Sequence, residues 1–264
     1  HRLPRMMELR WAQECAELNA SSAGEQVEAA EAAPSPPRFN LMTPRSRCPH
    51  CGHQIAWFEN IPVVSYIALR GRCRGCAAPI SLRYPAVELV CGLLFAWCGW
   101  QWGLTWTALA WSGFAAALLA LTCIDWDTTL LPDDITLPLL WAGLCASALQ
   151  WSSTSLPDAL WGAVAGYLSL WLVYWGFKLV TGKEGMGYGD FKLLAALGAF
   201  LGWQMLPVII LLSSLVGAVV GIALIVLRSH GRDVPIPFGP YLAAAGVIAL
   251  FFGTTINRTY LGLM

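Results

Sequence analysis

Charge is scarce in this chain. Only 12% of its 264 residues are Asp, Glu, Lys or Arg, about half of the roughly 25% found in soluble domains. With 57% hydrophobic residues and a mean hydropathy of +0.57, that shortage excludes a soluble domain. A secretory signal is missing too, because His1-Arg-Leu-Pro-Arg has no apolar core ahead of any cleavage site. There is no internal repeat and no carboxylate near the middle of an apolar run. Those are the features expected of a transporter or channel, the alternative reading for a chain of this composition. What is present is a multi-pass membrane protein with a basic, polar N-terminal part. Residues 1–84 hold ten arginines, whereas the other 180 (264 − 84) hold six Lys and Arg together. Fourteen tryptophans suit membrane-interface belts.

Residues 10–31, rich in Ala, Glu and Leu, are predicted to form a helix that Pro34, Pro36 and Pro37 end. After it come Cys48-Pro-His-Cys51 and Cys73-Arg-Gly-Cys76, two knuckles separated by 21 residues. Each knuckle brings two thiolates to one ion, and four complete the closed tetrahedral shell of structural zinc. His50 and His53 are alternative ligands by type, but beside a full cysteine set they read as outer or solvent-facing groups. Basic residues mark this segment as cytoplasmic under the positive-inside rule, where thiols stay reduced, so two disulfides are the weaker alternative. The arginines flank a span and are topology signals, which argues against a nucleic-acid module. Of the remaining cysteines, Cys91, Cys98, Cys123 and Cys145 lie in apolar runs and read as small buried hydrophobes.

Seven apolar runs follow, near residues 86–102, 105–124, 135–151, 157–177, 191–203, 206–227 and 238–256. The fifth falls short of the roughly 20 residues a span needs and must lean on its neighbours. Alternation puts the loops near residues 125–134, 178–190 and 228–237 on the side of residues 1–84. Lys178, Lys183, Lys192, Arg228 and Arg232 all fall on that side, while the opposite loops carry no Lys or Arg.

Two acidic sites share this face. Asp125 ends an uninterrupted run from Phe114 to Ile124, and Asp190 opens the fifth run inside Gly185-Met-Gly-Tyr-Gly-Asp-Phe-Lys192. An ionisable group at a span is expensive and marks a functional candidate. The plainer reading of Asp190 is a helix cap, and of Asp125 a loop carboxylate. Two carboxylates brought close in a low-dielectric site do not both ionise easily. The charged one takes a proton from water and the protonated one polarises an amide carbonyl. Glycines beside Asp190 let an extended peptide backbone approach. Asp133 and Asp134, after Pro132, read as helix-start residues. Pro235, Pro237, Gly239 and Pro240 are expected to form non-helical backbone lining a groove, which membrane depth allows only under cover of protein or water.

Gly187-Tyr-Gly189-Asp190 resembles the Gly-x-Gly-Asp motif of intramembrane aspartyl proteases. With Ile124-Asp125-x-Asp127-x-x-x-Leu-Pro-Asp133, the paired knuckles, Glu59-Asn-Ile-Pro-Val-Val-Ser-Tyr and Pro235-Ile-Pro-Phe-Gly-Pro-Tyr241, it resembles the bacterial type IV prepilin peptidase family over nearly the whole chain. The resemblance implies an enzyme with two activities at the cytoplasmic face of the bacterial inner membrane. Members cut prepilins and pseudopilins after a glycine, then N-methylate the new terminus with S-adenosylmethionine. It implies Asp125 and Asp190 as the catalytic pair, and Cys48, Cys51, Cys73 and Cys76 as zinc ligands. Asp127, Gly187, Gly189, Lys192, Pro237, Gly239 and Pro240 are supporting positions. No stretch forms a methyl-donor motif, so the donor is expected in the cytoplasmic domain without named residues. The expected fold is an all-α polytopic membrane protein, seven helices here and eight with an N-terminal span that precedes His1 in the family. A zinc-knuckle domain with the methyltransferase part covers residues 1–84, and the transmembrane aspartyl peptidase domain covers residues 85–264. The partners expected are prepilins, pseudopilins and membrane lipid, with no nucleic acid.

Overall fold

A computed structural model describes residues 2–22, 40, 43–183, 185–228 and 237–260. The chain divides into two compact units, residues 1–89 and 90–264. Helices α1 (Arg2–Ser22), α2 (Val64–Ala68) and the start of α3 (Arg83–Trp102) belong to the first unit. The second holds the rest of α3, α4 (Trp106–Thr128), α5 (Asp133–Ala148), α6 (Leu156–Thr181), α7 (Tyr188–Leu201), α8 (Leu206–Arg228) and α9 (Gly239–Tyr260). Among the described residues there is no strand, only two isolated β-bridges. Three helical stretches among the described residues are long and apolar enough to cross a membrane, Trp106–Thr128, Leu156–Thr181 and Trp203–Leu224, and Gly239–Gly253 is a shorter apolar helix. The chain is an all-α polytopic membrane protein.

Each of the seven expected runs is a helix, and the fifth, α7, has only 14 residues. Its sequence explains how so short an element sits in a bundle. From Asp190 to Phe200 every residue but Lys192 is buried, so α7 is apolar on all sides and needs neighbours on all sides. It packs against α5, α6, α8 and α9. Glycine permits the closest of these approaches. A Cβ on Gly198 of α7 would lie 2.2 Å from the Gly162 carbonyl oxygen of α6, and one on Gly166 would lie 2.6 Å from the Leu194 carbonyl oxygen. Without a hydrophobic drive between helices in lipid, such small-residue contact supplies the packing.

Caps match local sequence. The Thr105 hydroxyl accepts the Ala108 N–H at the start of α4, and Ser155 accepts that of Asp158 at the start of α6. Asp158 ties α6 to the turn after α7. The Trp203 indole and Gln204 amide donate to its Oδ1 at 2.9 and 3.1 Å, and the Ser155 hydroxyl donates to Oδ2 at 2.6 Å.

Three expectations change. The first helix begins at Arg2 rather than near residue 10, with Pro4 in its first turn where a missing N–H costs nothing; residues 23–31 of the predicted helix lie outside the described residues. Gly239 and Pro240 open α9 instead of forming non-helical backbone; among the described residues, Pro237 and Phe238 are non-helical before it, and Pro235 lies outside the described residues. Of the four cysteines read as buried, only Cys98 is. Cys91 and Cys123 are half-buried and Cys145 is exposed, because a run apolar on every side does not reveal which face meets protein.

The Gly162–Gly198 contact gives a test. Gly198→Ala forces two backbones apart and should cost at least the roughly 1–3 kcal/mol of overpacking. Gly176→Ala, whose Cβ would meet nothing within 4 Å, should be neutral or gain up to about 1 kcal/mol. Thermal unfolding of both variants in one detergent checks the pair.

Candidate active site and metal centre

Asp125 and Asp190 are buried, 4% and 6% exposed. Asp125 sits in the last turn of α4, and Asp190 in the first turn of α7, third from its start. Neither plainer reading holds: Asp125 is helical, and Gly187 rather than Asp190 caps α7, with the Asp190 N–H donating to the Gly187 carbonyl at 3.2 Å. Gly239 beside Asp125 and Gly189 immediately before Asp190 both lie against Leu131, which puts the two carboxylates in one region of the unit. The last turn of α4 and the first turn of α7 carry them, with the start of α9 and the turn between α4 and α5 packed beside them.

Backbone surrounds them. The Gly239 N–H, left without an intrahelical partner in the first turn of α9, donates to Asp125 Oδ2 at 2.9 Å. A Cβ on Gly239 would come within 2.7 Å of that oxygen, so no other residue fits there undisturbed. On the other side, a Cβ on Gly187 would stand 3.8 Å from Asp190 Oδ2. The turn between α4 and α5 passes against both Gly189 and Gly239 through Leu131. Lys192 Nζ binds both oxygens of Asp133 at 2.7 Å, fastening the start of α5 to that of α7. Among the supporting positions, Gly187 and Gly239 therefore border the carboxylates and Gly189 precedes Asp190, while Lys192 holds Asp133. Pro240 is buried next to Gly239 and Pro237 is half-buried, while Asp127 is exposed on the last turn of α4. The contact of Leu131 and the N–H of Gly239 were not read from the sequence.

The four cysteines of the first unit also meet. Their Sγ atoms lie within 4.8 Å of one another, with Cys48 and Cys76 at 3.8 Å and Cys51 and Cys73 at 4.0 Å. A tetrahedral ion with Zn–S bonds of about 2.3 Å requires sulfurs about 3.8 Å apart, so the set fits. The two knuckles repeat one geometry at an offset of 25 residues. The Cys48 and Cys73 N–H groups donate to the His53 and Ala78 carbonyls, both at 2.8 Å, and bridges join Arg47 to Gln54 and Arg72 to Pro79. Left-handed residues Gly52 and Ala77 turn each knuckle. Backbone N–H groups of Cys51 and His50 lower the Cys48 thiol to about 6. Cys76 has a backbone hydrogen bond with Ala78 that favours its thiolate, but desolvation and three neighbouring thiols push it up to about 12. Such a set holds protons that a cation displaces on binding.

Glu59 supports both knuckles. Its side chain is 6% exposed. Oε2 accepts the Ala56 N–H at 2.9 Å and contacts His53 Nε2 at 3.2 Å, and Oε1 lies 3.6 Å from Arg74 inside the second knuckle. The Ala56 hydrogen bond, then His53 and Arg74, hold its carboxyl below the ordinary value against desolvation. His53 is thus an outer group, as its place beside a full cysteine set indicated. The carboxylate three residues past Ala56 was the local signal for the bond to its N–H.

Residues 112–222 match the type IV leader peptidase family, and residues 1–102 match the bacterial peptidase A24 N-terminal domain. Curated relatives extend the match over the full length. One from Aeromonas hydrophila is 56% identical, covering 99% of this chain and 87% of its own. Relatives from Stutzerimonas stutzeri and Pseudomonas aeruginosa are 54% and 55% identical with the same coverage. The chain belongs to the type IV leader peptidase family. All three relatives are named prepilin leader peptidase/N-methyltransferase. No solved structure matches the chain.

Metal analysis of this leader peptidase family member should find about one zinc per chain. Changing Cys48 and Cys76 together to Ser should remove it. Glu59→Gln should retain the ion but weaken its hold by about 10–100-fold, read as faster transfer to a chelator.

Proposed function

We propose that this chain is a prepilin leader peptidase and N-methyltransferase, cutting the leader of prepilins and pseudopilins and methylating the new N-terminus. The observation that carries the peptidase reading is the convergence of Asp125 and Asp190 from distant helices into one buried site bordered by glycine backbone. In this reading a water oxygen attacks the scissile carbonyl carbon while the ionised carboxylate takes one of its protons. The protonated carboxyl gives its proton to the carbonyl oxygen. Collapse of the tetrahedral intermediate breaks the C–N bond as one of its hydroxyls returns a proton to one carboxylate, and the amine nitrogen takes the proton held by the other, which leaves the pair singly protonated as it began. Gly239 N–H orients Asp125 throughout, and no covalent intermediate forms. Exposed Trp126, Leu130 and Tyr188 flank the pair in sequence and offer apolar surface to a substrate helix.

The active face is the cytoplasmic side of the bacterial inner membrane, supported by the one-sided Lys and Arg distribution of the loops. Zinc is the ion of the four-cysteine cluster, where it serves the fold of the first unit and does no chemistry. Methylation uses S-adenosylmethionine and belongs to residues 1–84. Lipid surrounds the helices, and nucleic acid is not a partner. A transporter needs its carboxylates near the bilayer midplane, whereas Asp125 and Asp190 both stand within a turn of a helix end.

Incubating the protein in lipid with a prepilin and labelled methyl donor, then weighing the product, tests both activities. Asp125→Asn and Asp190→Asn should each lower leader cleavage by about 10²–10⁴-fold, with zinc content and unfolding temperature kept. Cleavage retained in either variant removes that residue from the catalytic pair.

A further inference from the structure

We propose that Leu131 is a positioning residue for the peptidase reaction, its side chain being the spacer that sets how closely Asp125 and Asp190 approach. The inference rests on reading those two aspartates as the catalytic pair. Leu131 lies on the short strap between α4 and α5, whose ends are fixed locally. Thr129 turns left-handed and donates its N–H to the Asp125 carbonyl at 2.8 Å, and Pro132 accepts the N–H groups of Ile135 and Thr136. The Asp133–Lys192 ion pair then ties the strap to α7. Asp133 is two residues past Leu131, and Lys192 is two residues past Asp190.

Between those fixings the side chain is wedged between two glycine backbones. A Cβ on Gly189 would lie 2.6 Å from Leu131 Cβ and 3.4 Å from Cδ1, and one on Gly239 would lie 3.1 Å from Cδ2. Gly189 immediately precedes Asp190, and the Gly239 N–H holds Asp125. The Cβ and one methyl therefore face the backbone carrying one carboxylate, and the other methyl faces the backbone orienting its partner. Branching at Cγ is what lets one side chain reach the second glycine while its Cβ meets the first. A residue branched at Cβ would add bulk at the crowded Gly189 contact, and alanine would keep the Cβ there but leave Gly239 without a stop. Interiors are packed densely enough to transmit such a change, and a misplacement near 1 Å is costly to a reaction that depends on alignment.

The test uses the full chain in lipid nanodiscs with a prepilin substrate. Leu131→Ala should lower kcat for leader cleavage by about ten- to a hundredfold, leave KM within about twofold and shift the pH profile of kcat. Leu131→Met, which keeps the volume, should recover most of the rate, and Leu131→Ile should recover less. Unchanged kcat in Leu131→Ala, while Asp125→Asn and Asp190→Asn are inactive, overturns the spacer alone. So does a loss explained entirely by lower zinc content and unfolding temperature with an unshifted pH profile, or failure of Leu131→Met to recover rate when it folds normally. Cleavage surviving in either aspartate variant overturns the pair, and the spacer with it.

Discussion

Two carboxylates have to be held close together inside an apolar bundle, and the second unit is arranged around that demand. Lipid and hydrocarbon side chains cannot solvate an acid, so each must be met by protein dipoles or by its partner. Here the dipoles are main-chain ones: the unpaired first-turn N–H of Gly239 reaches Asp125, while Asp190 stands in the opening turn of α7, where the helix end favours negative charge. Setting each acid against a helix N-terminus, that of α9 for Asp125 and that of α7 for Asp190, solves part of the problem without further polar side chains. The short α7 is itself enclosed by four other helices.

That enclosure depends on glycine. Gly162, Gly166 and Gly198 bring the α6 and α7 backbones into contact, and Gly143 lets Phe200 lie against α5, its added Cβ being 2.7 Å from the ring. The same device recurs at the site, where Gly189 and Gly239 let Leu131 and Asp125 pack close to main chain. One set of glycines brings helix backbones together, and the other brings side chains of the site against backbone. The first unit solves a different problem. Its segment from residue 43 to 82 is too small to bury a core of its own, and exposed Trp57, Ile61, Val64 and Ile67 show how little it covers. A pair of knuckles whose four thiols converge, with a buried Glu59 beside them, offers the site for the missing cross-link.

Much of this was legible. Hydropathy located all seven helices because a helix in lipid must be apolar throughout, and it flagged the fifth as short. Asp125 and Asp190 stood out because a charge beside an apolar run is rare, and the cysteines because their spacing is local. What escaped were relations between distant residues. Nothing in Leu131-Pro132 says that the leucine meets Gly189 and Gly239, and Pro237, Gly239 and Pro240 read as broken backbone although the helix starts at Gly239. Proline and glycine each suit a helix start and a loop, so only the hydrogen bond to Asp125 separates the two. Cys145 failed for a related reason, since an all-apolar helix carries no mark of which side faces protein.

The central claim is that Asp125 and Asp190 act on one peptide bond. The most direct measurement is a structure, in lipid, of the Asp190→Asn variant with an uncleaved prepilin bound. The scissile carbonyl should lie between residues 125 and 190, within hydrogen-bonding reach of both side chains or of a single water joining them. A peptide bond held elsewhere, or the two side chains opening into separate cavities, would contradict it.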